Sequence, residues 1–195
     1  MPFILATLIL IIDQATKILC ASLLPQLPHA SFTVWDGVFN LTYAENSGAA
    51  FGMLSGVPWL LHIITVVLVG FMVYVLVSRY KKMPRLMRYA LCVILAGALG
   101  NLIDRIFLGY VRDMFDFCLI NFYIFNVADA AITLGAIALG VDILFFKSGR
   151  EFLQNELSDK DDKKTLKNDM EEKDETNTET GNNISVTGKH VQREK

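Results

Sequence analysis

The chain has 195 residues, 53% of them hydrophobic, with a mean hydropathy of +0.40 and a formal net charge of −2. That apolar share exceeds what a soluble globular domain carries, so the chain reads as a membrane protein. Charge is unevenly placed: residues 147–195 hold 22 of the 38 charged side chains (10 basic, 12 acidic), and the 146 residues before them carry eight of each sign. The overall charge therefore says little about partners, and no nucleic acid is expected among them. Cys20, Cys92 and Cys118 are odd in number, widely spaced and in or beside apolar runs. They support neither a disulfide framework nor a zinc site, and read as small packing residues.

Four apolar runs reach the ~20 residues a helix needs to cross a bilayer core. They are, roughly, 3–24, 57–78, 89–108 and 122–146. The first lacks a basic leader and a small-residue cleavage site and carries Asp13 and Lys17 mid-run, so it is expected to stay as an uncleaved helix. The expected fold is an all-α membrane protein: a four-transmembrane-helix bundle (residues 1–146), a small β-containing domain on the outer face, and a charged, disordered tail (147–195).

The segment 25–56 is too long for a turn. Phe32–Trp35 and Val38–Tyr43 flank Asp36-Gly37, which reads as a hairpin with β-branched and aromatic residues on both sides. Asn46 to Gly52 follows, rich in small residues that permit close backbone approach. No Lys or Arg occurs between Lys17 and Arg79, whereas Arg79, Lys81, Lys82, Arg85 and Arg88 crowd the link after the second run. The basic link is expected in the cytoplasm, with segment 25–56 outside and both termini inside. Arg112 is a mild exception in the outer link, offset by Asp113 and Asp116. Trp59 suits an interfacial anchor, and Trp35, Phe39 and Tyr43 are expected to rest on the membrane surface. The tail is dense in charges of both signs and then in Thr, Asn and Gly, too polar to offset its ordering entropy.

Ionisable groups inside apolar runs are costly and so are functional candidates. At about 1.5 Å per residue, Lys17 lies ~21 Å above Phe3, Asp104 ~22 Å above Tyr89 and Asp129 ~10 Å into the fourth run from the outer side. Asn101, Asp104 and Arg105 share one helix face, as do Asn126 and Asp129, and Asp13 is an i,i+4 partner of Lys17. Several segments thus deliver polar groups to one outer layer. His29, His62 and His190 have no nucleophile at a matching depth, which argues against Ser–His or Cys–His catalysis. A three-aspartate cation site has weaker support, and neither metal nor cofactor is expected.

A pair of aspartates needs no cofactor: two coupled carboxylates share a proton, one activating water while the other polarises the scissile carbonyl. Spacing alone leaves both Asp113–Asp129 and Asp104–Asp129 open, with Asp113 favoured because it sits on a link able to bend towards the fourth helix. Plainer roles are a buried Asp13–Lys17 salt bridge, Asp104 stabilising Arg105 or capping backbone, Asp116 supporting Asp113, and solvated or helix-end positions for Asp36, Glu45 and Asp142. The competing functional class is a small proton- or cation-coupled transporter, since intramembrane acids also mark ion paths.

Five blocks in order carry a family resemblance: Asp13 to Lys17, Asn46 to Phe51, Gly97 to Arg105, Val111 to Met114 and Phe125 to Asp129. Together with the four apolar runs they resemble lipoprotein signal peptidase, the bacterial type II signal peptidase. The resemblance implies an aspartic endopeptidase of the bacterial inner membrane, active near its outer face. It would remove the signal peptide from prolipoproteins just before a diacylglyceryl-modified cysteine. It implies Asp113 and Asp129 as the catalytic pair, with Asn46, Gly48, Asn101, Arg105 and Asn126 at the substrate. Asp13, Lys17 and Asp104 would be structural supports, Asp104 holding the arginine or nearby backbone. The expected partners are the modified prolipoprotein and membrane lipid, with the enzyme acting as a monomer. Ala96 stands where the family often has glycine, and the tail is longer than the family needs.

Overall fold

The four apolar runs fold as helices. In the computed structural model, which describes residues 1–48, 58–155, 157 and 158, they are α1 (Pro2–Leu23), α2 (Pro58–Arg79), α3 (Arg85–Leu108) and α4 (Val127–Phe145). All four are long and apolar enough to cross a membrane. Their outward side chains stay exposed (Val67 62%, Val77 79%, Phe107 79%), as expected where the solvent is hydrocarbon rather than water. α3 is the most enclosed of the four and packs against each of the others. Its buried face is built of small or flexible residues, Met87, Ala90, Cys92, Ala96, Gly97 and Gly100, which let helix axes approach closely. Ala96, at 3% exposed, fits this seam.

The hairpin forms where expected. β1 (Ser31–Trp35) and β2 (Phe39–Asn46) pair antiparallel around Asp36-Gly37, with Gly37 at φ +69°, a backbone region that favours glycine. The link after α3 is not the free, bendable segment expected from its length. It forms a third strand, β3 (Val111–Asp116), giving an antiparallel sheet of order β1-β2-β3. Ala44 sits opposite Asp113 and Asn46 opposite Val111, so Asn46 and Asp113 share one face of the sheet.

The fourth helix starts later than its hydropathy suggests. Residues 122–125 are apolar but not helical, because Phe125 pairs with β3: its N–H donates to Phe115 O (3.1 Å) and its carbonyl accepts from Phe115 N–H (2.8 Å). The rings of Phe39, Phe115, Phe117, Phe122 and Phe125 pack together, with centroids of neighbouring pairs 4.8–6.3 Å apart. Phe39 is thus engaged within this cluster, while Trp35 (68%) and Trp59 (61%) are exposed.

The chain divides into a unit of Met1–Gly149 and a second of Arg150–Lys195. Where structureless tail was expected from residue 147, residues 147–149 of the first unit are helical, as are 150–155, 157 and 158 of the second. Asp142, expected as a solvated helix-end charge, is 2% exposed and lies so close to Gly149 that a Cβ there would meet its Oδ2 at 2.7 Å. Part of the small-residue stretch (49–52) and the tail from 159, with its expected disorder, lie outside the described residues.

Candidate active site

Asp129 owes its position to a helix start. Asn126 is the N-cap of α4: its side-chain oxygen accepts from Asp129 N–H (2.9 Å), and Asp129 Oδ2 accepts from Asn126 N–H (3.2 Å), a reciprocal capping box. Asp129 is therefore in the first turn rather than ~10 Å into the span. A further unpaired N–H of this turn, on Ala128, donates to Asp13 Oδ1 on α1 (2.9 Å). A Cβ on Gly100 would fall 2.5 Å from Asp13 Oδ2, so the absence of a side chain at Gly100 is what lets α1 deliver that carboxylate.

Asp113 owes its position to the sheet. Its Oδ2 accepts from Asn46 Nδ2 (3.0 Å) on the same face, and its Oδ1 accepts from Asn126 Nδ2 (2.6 Å). Asn126, with 0% exposure, touches both aspartates, and Asn101 Nδ2 donates to Asp129 Oδ1 (2.7 Å). Burial, and then the charge of Asp129, raise the Asp113 carboxyl to about 7 against the amide hydrogen bonds that pull it down.

A salt-bridge layer lies beside this pair. Lys17 Nζ is 3.0 Å from Asp13 Oδ2 and 3.6 Å from Asp104 Oδ2, all three groups fully or nearly fully buried. Asp104 was expected to hold Arg105 or nearby backbone. The arginine it grips is Arg112, accepting from its Nη2 (2.7 Å), Nε (3.2 Å) and backbone N–H (3.0 Å). This is also what neutralises Arg112, rather than Asp113 or Asp116. Gly109 ends α3 and turns the chain so that residue 112 folds back onto residue 104. Asp116, expected behind Asp113, accepts from Thr42 Oγ1 (3.0 Å). Gln14, whose place in an apolar run carries no local signal of a partner, reaches Asp13, Asp104 and Arg112.

Arg105 points the other way. Its Nη2 donates to Gly48 O (3.3 Å), and Gly48 N–H donates to Asn46 Oδ1 (3.0 Å), so the end of β2 is tied to both Arg105 and Asp113. His62 Nε2 lies 3.1 Å from Arg105 O, linking α2 to α3. Asp113, Asp129, Asn46, Gly48, Asn101 and Arg105 all line one cleft of about 1000 Å³. Its remaining wall is largely apolar, including Phe122, Phe125, Ile132 and Leu134. Asn126, Asp13, Lys17 and Asp104 lie behind this surface. The arrangement presents two coupled carboxylates, one guanidinium and amide groups at the mouth of an apolar groove. That set suits acid–base chemistry on a polar bond of a largely apolar substrate.

Comparison with known proteins places this architecture. A family model described as signal peptidase (SPase) II matches residues 5–145. Curated relatives named lipoprotein signal peptidase include that of Caldanaerobacter subterraneus subsp. tengcongensis, 43% identical over 153 residues (76% of this chain, 99% of the relative). That of Clostridioides difficile is 40% identical over 149 residues (76% and 98%). A solved bacterial membrane enzyme superposes with a TM-score of 0.66 at 35% identity, covering 73% of this chain and 87% of its own. The chain belongs to the signal peptidase II family and is a membrane-embedded protease.

Proposed function

We propose that the protein removes the signal peptide from prolipoproteins on the N-terminal side of a diacylglyceryl-modified cysteine, with Asp113 and Asp129 as an aspartate dyad. The observation that carries the reading is the meeting of these two carboxylates at one cleft, bridged by Asn126 and coupled through Asp129's charge on Asp113. With Asp113 raised to about 7, the pair holds one proton across much of the neutral range. The ionised carboxylate takes a proton from water, the water attacks the scissile carbonyl, and the protonated carboxyl polarises that carbonyl before protonating the leaving amine.

Substrate handling follows from the groove. A lipid-modified peptide shares the membrane and reaches the site by lateral diffusion, its acyl chains against Ile132 and Leu134 and its peptide at the polar mouth. Arg105, Gly48, Asn46 and Asn101 hold the peptide there. The basic link between α2 and α3 faces the cytoplasm and the sheet faces outward, so cleavage occurs at the outer surface of the inner membrane.

The test is cleavage of a diacylglyceryl-modified prolipoprotein by the purified enzyme in liposomes. Wild type should release the signal peptide, and Asp113→Asn and Asp129→Asn should each lose release while melting as folded proteins. Full turnover by either variant would refute the dyad.

A further inference from the structure

We propose that Lys17 is a positioning residue for catalysis: by occupying Asn101 Oδ1 it fixes the Asn101 amide so that its donating end meets Asp129. This role rests on the dyad reading above and on which buried groups donate and which accept. An ammonium only donates: Lys17 Nζ lies at ion-pair distance from Asp13 Oδ2 (3.0 Å) and Asp104 Oδ2 (3.6 Å), and it donates a hydrogen bond to Asn101 Oδ1 (2.8 Å). A bridge that merely tied α1 to α3 needs only the first two. The third forces the Asn101 oxygen towards Lys17, which leaves Nδ2 facing Asp129 Oδ1 at 2.7 Å. Asn126 is locked in the same sense, because Asp129 N–H occupies its oxygen (2.9 Å). Its Nδ2 then donates to Asp113 Oδ1 (2.6 Å) and to the same Asn101 oxygen (3.2 Å). Neither buried amide can flip without setting donor against donor or acceptor against acceptor, a costly mismatch where water cannot compensate.

The consequence is chemical. Each aspartate has its Oδ1 held by a fixed N–H, Asp129 by Asn101 and Asp113 by Asn126, so the proton the pair shares is driven onto the remaining lone pairs, where it can reach the substrate carbonyl. Without Lys17, the Asn101 oxygen keeps only the longer hydrogen bond from Asn126 Nδ2 (3.2 Å), which holds it less firmly against turning towards Asp129. That favours a proton held on Asp129 Oδ1 by the Asn101 oxygen instead of being donated to the substrate. The charged and titratable groups around the pair come from every packed element: Asp13 and Lys17 on α1, His62 on α2, Asp104 and Arg105 on α3, Glu45 on β2, Arg112 on β3, with Asp113 on β3 and Asp129 on α4 themselves.

The experiment uses the full chain in liposomes with the diacylglyceryl-modified prolipoprotein, reading kcat and KM per folded enzyme and the pH profile. Lys17→Met is made together with Asp13→Asn, which keeps the buried charges balanced, and is compared with Asp13→Asn alone. The expected result is a kcat lower by about 100-fold, with KM within about twofold and a displaced pH profile. Asn101→Ala is then added. If Lys17 acts through Asn101, the combined loss equals the larger single loss, whereas a purely structural lysine makes the two losses multiply. Should the Lys17 variants not fold, Asn101→Asp carries the test, since it keeps a partner for Lys17 but presents an acceptor to Asp129. It should lose kcat and move the pH profile upward by about one unit or more. An unchanged kcat and profile in a folded variant, or multiplying losses, overturns the positioning role. The dyad reading fails separately, through active Asp113→Asn or Asp129→Asn.

Discussion

Asn126 Nδ2 donates to Asp113 Oδ1 at 2.6 Å while Asn126 Oδ1 accepts from the backbone N–H of Asp129 at 2.9 Å, so one buried amide ties the sheet's aspartate to the helix's. Asn126→Ala removes both contacts and the α4 cap. Loss of a helix N-cap costs about 1 kcal/mol, and Asp113 also loses its shortest hydrogen bond. The expected outcome is a lower melting temperature with kcat reduced roughly 100-fold, because the two carboxylates are no longer held in register. Thermal melts alongside turnover check this. Wild-type turnover from Asn126→Ala would mean the capping box does not set the pair.

The raised Asp113 carboxyl gives a pH dependence with a definite sign. If the protonated form is needed as the acid, kcat/KM should fall above about pH 7, approaching about tenfold per pH unit. The stability sign runs the same way. Protonation of Asp113 favours the fold, so its contribution is full below the ordinary carboxyl value of 3.8 and is lost as pH rises through about 7. Melting curves from pH 4 to 8 should show a decline that is shallower in Asp113→Asn. An identical slope in the variant would rule Asp113 out as the titrating group.

Asp104 behaves differently. Its carboxylate bridges Arg112 and Lys17 but does not line the cleft, so Asp104→Asn should act through folding. Breaking one partner out of a buried ion cluster costs on the order of 3–5 kcal/mol. Low yield and a depressed melting point are expected, with the folded fraction retaining most of its specific activity. Active-site titration of the surviving enzyme distinguishes this from catalysis: a well-folded but inactive Asp104→Asn would assign Asp104 a chemical role.

Gly100→Ala tests the route by which α1 supports α4. The added methyl would lie 2.5 Å from Asp13 Oδ2 and 3.3 Å from Ala128 Cβ, so the carboxylate must move and release the Ala128 N–H. Overpacking of this kind costs about 1–3 kcal/mol. A melting temperature equal to wild type would show that the Asp13 contact adds nothing to stability.

The four spans, the hairpin at Asp36-Gly37 and the membrane character follow from the sequence alone, because hydropathy over about 20 residues and turn chemistry are local properties. The resemblance carried by five ordered blocks also pointed to the family. Three matters were decided only by tertiary structure. The link holding Asp113 is a strand because β2 pairs with it, and its length gave no sign of a partner. The start of α4 at Val127 is decided by Phe125 pairing with Phe115, since an apolar run reads alike whether extended or helical. The partner of Asp104 is Arg112 rather than the adjacent Arg105, because residues 104 and 105 point about 100° apart on the helix and Gly109 returns the chain to one side of it. Adjacency in sequence puts charges near one another, but the direction of each side chain, set by the backbone between them, chooses which ones meet.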